Sequence, residues 1–378
     1  MQTTQVAISG DLIDLSIGHP SPSLLPLEIM KRAAEHRLNQ GDPALLQYGF
    51  EQGDCYFRKA LAVFLCEKYG ISVDADHLFI SNGVSQALDI ICTLYTRPGD
   101  LIFVEEPTYF LALRIFADHH LRVESLPLDE QGLVVEALEE RLAKERPAFL
   151  YTIPTHQNPT GATMSVKRRR CLVELSKEFG FMILADEVYH LLSYTGEPPP
   201  PFASFISGGS VFSLGSFSKI LAPGLRLGWI HASPELLRPL ALCGMLDSGG
   251  GLNPFTSALV RSVLESGLQI EHLERLRVVY RERLVAMRTV LRSELPGLLR
   301  FNEPRGGFFF WIALPEGVHA PDLLPEAQEC RVNFMPGSRF SSSGGMGNYL
   351  RLSFSYYDAQ VLKEGVRRLA KVLQRQLQ

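Results

Sequence analysis

The chain has 378 residues, a length that suggests about two domains, and 46% of them are hydrophobic, which is typical of a globular protein. Lys and Arg total 37 and Asp and Glu total 41, so the net charge of −4 provides no basic surface for nucleic acid or an anionic membrane. No apolar run reaches the roughly 18 residues of a membrane span, and the chain start lacks the pattern of a signal peptide. The six cysteines show no metal-ligand spacing, so we expect reduced thiols in a cytoplasmic protein.

Short apolar runs alternate with helical patterns through the middle of the chain. The runs are bounded by Pro or Gly, and their continuous apolar character fits strands that are buried on both faces. They are residues 101–104, 148–153, 181–185, 210–214 and 225–230. Between two of them, Ser165 is a good N-cap and Gly180 a good C-terminal cap for a helix. The alternation predicts an α/β domain with a mostly parallel sheet.

The C-terminal part of the chain has a different pattern. Apolar residues from 273 to 291 recur every three or four positions, which predicts one long amphipathic helix ending at Pro296. Residues 307–313 and 348–355 are typical of strands, and Asp358 can cap a final helix. We therefore expect a second, α+β unit from residue 273 to the C-terminus.

Polar side chains follow the predicted strands. Asn158, Asp186 and Lys219 each follow a strand, Arg226 lies seven residues beyond that lysine, and Gly83 precedes a helix. Sites in open α/β sheets form outside the carboxyl ends of the strands, so these groups should meet at one edge. They suit pyridoxal 5′-phosphate, which needs a lysine amine, a carboxylate beside its ring nitrogen, and an arginine and a helix N-terminus for its phosphate.

Three sequence blocks are specific enough to suggest a family. They are Pro154-Thr-His-Gln-Asn-Pro-Thr-Gly161, Ala185-Asp-Glu-Val-Tyr189 and Gly215-Ser-Phe-Ser-Lys-Ile-Leu-Ala-Pro-Gly-Leu-Arg-Leu-Gly-Trp229. With these blocks the chain resembles fold-type I pyridoxal-phosphate aminotransferases of class I/II. It is most similar to the branch that includes 2-aminoadipate and kynurenine aminotransferases and the aminotransferase-like half of MocR regulators. The similarity extends over essentially the whole chain.

The resemblance implies a fold and a domain division. We expect a large cofactor-binding domain, residues 41–272, in which a mostly parallel seven-stranded sheet lies between helices. A smaller α+β domain would combine residues 1–40 with residues 273–378 and would therefore be discontinuous. The resemblance also implies a homodimer with shared active sites and no metal.

The resemblance further implies the roles of individual residues. Lys219 would form a Schiff base with the cofactor and move a proton, Asp186 would face the pyridine nitrogen, and Tyr189 would donate to the 3′-oxygen. The other cofactor-binding residues would be Gly83, Val84, Ser85, Tyr109, Asn158, Ser216, Ser218 and Arg226, with Tyr48 reaching the neighbouring subunit. Gly18, Asn158 and Arg351 would bind the substrate carboxylate, a task that suits a guanidinium group.

The expected activity is ping-pong transfer of an amino group from an α-amino acid to a 2-oxo acid such as 2-oxoglutarate. The aromatic stretch of residues 308–311 suggests an apolar, aromatic or long donor side chain. His19 and His156 border the expected site without an assigned role.

Three alternatives remain open from the sequence. A β-eliminating carbon–sulfur lyase would share this fold and cofactor. A ligand-sensing MocR-like regulator would need an N-terminal winged-helix segment, for which the stretch before Gly18 leaves no room. Ser216-Phe-Ser-Lys219 matches the SxxK motif of serine–lysine hydrolases, although their companion SDN and KTG motifs are absent.

Overall fold

A computed structural model describes residues 6, 8, 10–207, 210–297 and 299–376, so the expectation about a signal peptide falls mostly outside the described residues. The described part contains twelve α-helices: α1 (Leu27–Leu38), α2 (Cys55–Tyr69), α3 (Val84–Tyr95), α4 (Phe110–Asp118), α5 (Val135–Leu142), α6 (Val166–Phe179), α7 (Pro234–Ala241), α8 (Gly244–Gly249), α9 (Pro254–Glu265), α10 (Leu268–Glu294), α11 (Leu324–Glu329) and α12 (Ala359–Gln376). It also contains fourteen strands: β1 (Ile13–Asp14), β2 (Leu78–Ser81), β3 (Leu101–Glu106), β4 (Arg122–Asp129), β5 (Gly132–Leu133), β6 (Phe149–Thr152), β7 (Met182–Asp186), β8 (Val211–Ser216), β9 (Gly228–His231), β10 (Arg300–Phe301), β11 (Phe309–Ala313), β12 (Val332–Asn333), β13 (Met335–Pro336) and β14 (Tyr349–Ser353).

The large sheet has the strand order β2-β9-β8-β7-β6-β3-β4-β5. The run from β8 to β4 is parallel, whereas β9 is antiparallel to both of its neighbours. The sheet therefore has eight strands and not the expected seven. The additional strand is β5, which folds back antiparallel to β4 because Asp129 accepts a hydrogen bond from the Gln131 amide and Gly132 has a positive φ.

Residues of the central strands alternate between two hydrophobic clusters. In β3, Ile102 and Val104 belong to the larger cluster, while Leu101 and Phe103 belong to a second cluster on the opposite face, beneath α5 and α6. Successive side chains of a strand point to opposite faces, so a strand covered by helices on both sides is apolar throughout. This burial explains the continuous apolar runs and confirms the predicted α/β class.

Local helix signals are confirmed where the sequence predicts them. The Ser165 side chain accepts a hydrogen bond from the Arg168 amide at the start of α6, and Gly180 ends that helix with a left-handed φ of 74°. Asp358 accepts hydrogen bonds from the amides of Gln360 and Val361, at 2.9 and 3.0 Å. The long helix α10 begins five residues before the predicted position, because it starts directly after Gly267, and Leu268 is already buried.

The small sheet is antiparallel, with the order β10-β11-β14-β13. The chain start joins this part of the molecule because β1 pairs in parallel with β12. In contrast, α1 packs on α9, and the Arg37 side chain donates to the Ala258 carbonyl at 3.1 Å. None of the described helices is long and apolar enough to cross a membrane.

Candidate active site

A cavity of about 390 Å³ lies beyond the carboxyl ends of the parallel strands. Loops after the strands, helices α3 and α4, the chain start and the small sheet supply its lining. It brings together twelve of the fourteen predicted site residues: Gly18, Val84, Ser85, Tyr109, Asn158, Asp186, Tyr189, Ser216, Ser218, Lys219, Arg226 and Arg351. Gly83 and Tyr48 are not part of the lining.

Asp186 is the last residue of β7 and lies buried in the cavity wall. Its Oδ2 accepts a hydrogen bond from the Tyr151 hydroxyl at 2.8 Å, and its Oδ1 accepts one from the Val188 amide at 3.4 Å. Burial raises the pKa of the carboxyl to about 6, against the opposing effect of these hydrogen bonds. A buried carboxylate is therefore stabilised when a cationic atom of a ligand lies beside it.

Lys219 lies three residues beyond β8, and its Nζ donates to the Gly18 carbonyl at 3.0 Å. Burial lowers the pKa of the amine to about 8, and the positive charges of Arg351 and Arg226 lower it further while Asp186 opposes them. A substantial fraction of the amine is therefore unprotonated near neutral pH, which is the form that attacks carbonyl groups.

The far end of the cavity is suited to an anion. Gly83 precedes α3 with a φ of 89° and no side-chain cap, so the first amides of that helix remain available. A Cβ at this position would lie only 3.0 Å from Arg226 Nη2, so a side chain would displace the guanidinium group. Ser216 and Ser218 lie opposite with their hydroxyl oxygens 2.9 Å apart. Two hydroxyls, an arginine and a helix N-terminus form a phosphate-binding set.

Arg351 projects from β14 and is buried. Its Nη1 donates to Asn158 Oδ1 at 2.9 Å and its Nη2 to the Ser16 carbonyl at 2.7 Å, while the ring centroid of Phe309 lies 4.0 Å from the guanidinium carbon. Its Nε is buried and has no hydrogen-bond partner among the described residues. Burial lowers the pKa of this group to about 10, so it remains a cation with unused donor capacity.

Two phenols, of Tyr109 and Tyr189, also line the cavity. Burial raises the pKa of Tyr109 to about 12 and raises the pKa of Tyr189 further above its ordinary value. Both hydroxyls are therefore protonated at neutral pH and can donate hydrogen bonds. The Tyr189 ring is fixed by an edge contact with Phe308, with 5.4 Å between ring centroids.

Tyr48 is the one predicted site residue that lies well outside the cavity, on the surface, with 83% of its area exposed. Its neighbours Leu46 and Phe50 are 77% and 66% exposed. The fold of one chain therefore does not bring this tyrosine to the site.

Sequence reasoning missed the partners that support the predicted residues. Tyr151 is a buried residue of a predicted strand, and nothing in its sequence context signals the hydrogen bond to Asp186. His19 lines the cavity, whereas His156 is buried and bonded to Ser193 at 2.7 Å, with its pKa lowered to about 3 by burial. His156 thus belongs to the supporting structure.

The hydrolase alternative fails on geometry. The Ser216 hydroxyl bonds to Ser218 and to the Leu227 carbonyl, and the Lys219 amine bonds to Gly18. Among the described residues no hydrogen bond joins the serine to the lysine, so the pair lacks the contact that would activate a serine nucleophile.

Comparison with known proteins decides the family. A family model described as aminotransferase class I and II matches residues 10–369. The chain belongs to the aminotransferase class I and II family. It is accordingly a pyridoxal-phosphate-dependent aminotransferase of fold type I, as the resemblance implied.

The relatives of this aminotransferase fall in the expected branch. It is 35% identical over 374 residues to aromatic-amino-acid aminotransferase 1 of Thermococcus litoralis, covering 98% of this chain and 89% of that protein. It is 36% identical over 368 residues to the 2-aminoadipate transaminase of Thermus thermophilus, covering 96% and 90%. The crystal structure of Pyrococcus horikoshii kynurenine aminotransferase with PMP superposes with a TM-score of 0.92 at 34% identity, covering 98% of this chain and 92% of that chain. These comparisons give the lyase alternative no support.

The residues of the cavity fit the cofactor of this family. The buried Asp186 matches a protonated ring nitrogen, the partly unprotonated Lys219 amine matches an aldehyde, and the end of the cavity beside Arg226 matches a phosphate. The close approach of Gly83 to Arg226 is the most restrictive of these features, because any side chain there would fill the anion cradle.

Proposed function

We propose that this aminotransferase takes its amino group from apolar or aromatic α-amino acids and passes it to a 2-oxo acid such as 2-oxoglutarate in a ping-pong reaction. The observation that carries this proposal is the apolar character of much of the cavity lining. Its apolar residues include Ile17, Pro20, Phe110, Leu111, Ile115 and Met335. An apolar side chain gains free energy by leaving water for such a surface.

Pyridoxal phosphate, when bound, supplies an aldehyde for the amino group and a ring that withdraws electrons from the substrate Cα. Asp186 would hold the ring nitrogen protonated, because a buried carboxylate strongly favours a proton on its partner. The Lys219 amine would accept the proton from the substrate Cα and donate it again later in the reaction. Tyr189 and Asn158 would donate hydrogen bonds to the 3′-oxygen, and Tyr109 would contact the ring.

Arg351 and Asn158 position the substrate by its α-carboxylate. The guanidinium is already fixed by Asn158 and Ser16, so little side-chain entropy is lost when a carboxylate binds to its remaining donors. The Gly18 backbone borders the same place, since a Cβ there would lie 3.7 Å from Arg351 Nη2. Bidentate binding of this kind selects a planar carboxylate.

The phosphate would bind beside Arg226. Arg226 supplies positive charge, and the remaining donors are neutral hydroxyls and amides. They belong to Gly83, Val84, Ser85, Ser216 and Ser218. Val84 can contribute only its amide.

A homodimer with shared sites is the assembly that we propose. Exposed apolar side chains supply the argument, because a monomer rarely leaves so many large ones in water. They include Leu46, Tyr48, Phe50, Tyr56, Leu242, Met245 and Phe255. Pairing of two chains through this surface would bury Tyr48 and would place it near the cavity of the partner chain. We also propose a cytoplasmic location, which six free cysteines favour.

The same proposal divides each chain into a large domain of residues 41–272 and a small, discontinuous domain of residues 1–40 and 273–378. The pairing of β1 with β12 supports the discontinuity. The packing of α1 on α9 would then form part of the contact between the domains.

The test is a half-reaction without an oxo acid. The purified holoenzyme is mixed with single amino acids, and loss of the cofactor's near-visible absorbance is followed. We expect stoichiometric conversion with phenylalanine, leucine or methionine, and recovery of the absorbance when 2-oxoglutarate is added. Continuous release of ammonia without an oxo acid would indicate the β-eliminating lyase and contradict the proposal. Lys219→Ala is the control, because it removes the amine and should abolish the conversion.

A further inference from the structure

His19 is the titratable side chain of the described cavity lining to which the reaction above gives no role. Its backbone is fixed, because the Ser355 hydroxyl donates to the His19 carbonyl at 2.8 Å. Its imidazole lines the cavity, yet it forms no hydrogen bond with any described residue. A half-buried polar ring with unused donor and acceptor atoms is available for a ligand.

The two cationic side chains near His19 already have hydrogen-bond partners. Arg351 is bonded to Asn158 and Ser16, and Lys219 donates to the Gly18 carbonyl. The other lining near His19 includes Ile17 and Pro20, which have no side-chain donors. A second carboxylate entering beside Ile17 and Pro20 would therefore find in the imidazole a donor that no described residue already uses.

A ping-pong aminotransferase must accept both of its substrates in one cavity. If the acceptor is a dicarboxylate, its second carboxylate must lie in the same part of the cavity that receives the apolar side chain of the donor. Burying an unpaired carboxylate there would cost several kcal/mol, so a partner is required. We propose that His19 is this partner: its imidazole N–H donates to the distal carboxylate of dicarboxylic substrates and leaves apolar substrates untouched.

The surrounding charges keep the imidazole neutral in the free enzyme. Burial lowers the pKa of His19, and the positive charges of Lys219 and Arg351 lower it further. A neutral ring carries no charge that would have to be buried beside an apolar side chain, but it retains one N–H donor for a carboxylate. A site that binds apolar and dicarboxylic substrates in turn needs a neutral donor of this kind.

The inference rests on the proposed function, and its test compares two donors in the half-reaction. Glutamate and norleucine have unbranched side chains of similar length, but only glutamate carries a distal carboxylate. We expect His19→Leu to lower kcat/KM for glutamate by about tenfold to hundredfold, as loss of a hydrogen bond to a charged group does, and to leave norleucine unchanged. His19→Gln keeps an N–H donor and should recover most of the glutamate activity.

Equal losses for glutamate and norleucine in His19→Leu would overturn the inference, since they would indicate a role at the α-carboxylate or in folding. Unchanged kinetics with both donors would overturn it as well. A failure of the proposed function is distinguishable, because then the wild-type holoenzyme would not convert norleucine, whereas a failure of the inference alone would leave that conversion intact.

Discussion

Replacing Asp186 with Asn should stabilise the protein without cofactor while it impairs catalysis. The carboxyl is buried, and its pKa lies at about 6 in the folded chain against an ordinary 3.8. A carboxyl whose folded pKa is raised is most compatible with the fold when protonated. The stabilising contribution of this protonated carboxyl is therefore fully present below pH 3.8 and is lost as the pH rises through about 6. Asn has nearly the same shape and carries no charge, so it avoids this loss.

The size of the effect follows from the pKa difference of about two units, because each unit corresponds to about 1.4 kcal/mol. We expect Asp186→Asn to raise the free energy of unfolding of the apoprotein by about 3 kcal/mol above pH 7 and by about half as much at pH 5. The amide can still bond to the Tyr151 hydroxyl, so little packing is lost. In the holoenzyme the same variant should lose about two orders of magnitude or more in kcat, because the ring nitrogen loses its anionic partner.

The measurement is urea unfolding of apoprotein at several pH values, with Asp129→Asn as the control. Asp129 is a largely exposed carboxyl whose pKa is lowered by its hydrogen bond to Arg168, so its replacement should act in the opposite direction. A gain for Asp186→Asn that did not grow between pH 5 and pH 7 would refute the reasoning. So would a variant holoenzyme with undiminished kcat.

Three other substitutions test separate parts of the site. Arg351→Lys cannot bind a carboxylate through two parallel hydrogen bonds, so we expect KM for every amino acid to rise about tenfold to hundredfold in steady-state kinetics. Gly18→Ala would place a Cβ 2.9 Å from Phe309 Cζ, and such overpacking should cost about 1–3 kcal/mol in thermal unfolding; an unchanged Tm would contradict the close contact. Arg226→Gln should release cofactor faster on dialysis, as followed by absorbance, with little change in apoprotein stability because the side chain is exposed.

Features that depend on neighbouring residues in the sequence were predictable. The cap residues Ser165 and Gly180 act through hydrogen bonds and φ angles inside one turn, and the structure has the helix between them. The buried strands were visible because helices cover both faces of the sheet. Lys219 and Asp186 were identifiable from the sequence blocks that surround them.

Features that depend on distant parts of the chain were not predictable. One example is the direction of β9, which is antiparallel to its neighbours, and another is the presence of β5. Each depends on which strand lies beside the turn and can form hydrogen bonds with the chain that follows. The hydrogen bond from Tyr151 to Asp186 spans 35 positions and exists only because β6 and β7 are neighbours in parallel register. His19 has no sequence signal for the same reason, since its significance depends on what lies around it in the cavity.

The basicity of Lys219 connects the anion-binding groups with the chemistry. In the proposed function Arg351 binds a carboxylate and Arg226 a phosphate, and in the absence of these anions the positive charges of both arginines help burial to lower the pKa of the amine to about 8. At pH 7.5 about a quarter of such an amine is unprotonated, against about 0.1% of an ordinary lysine. The same cations that attract the anionic cofactor thus keep the amine nucleophilic until the cofactor arrives. A phosphate beside Arg226 and a substrate carboxylate beside Arg351 would offset these charges, so we expect the amine to regain basicity, which would favour its action on the proton at the substrate Cα.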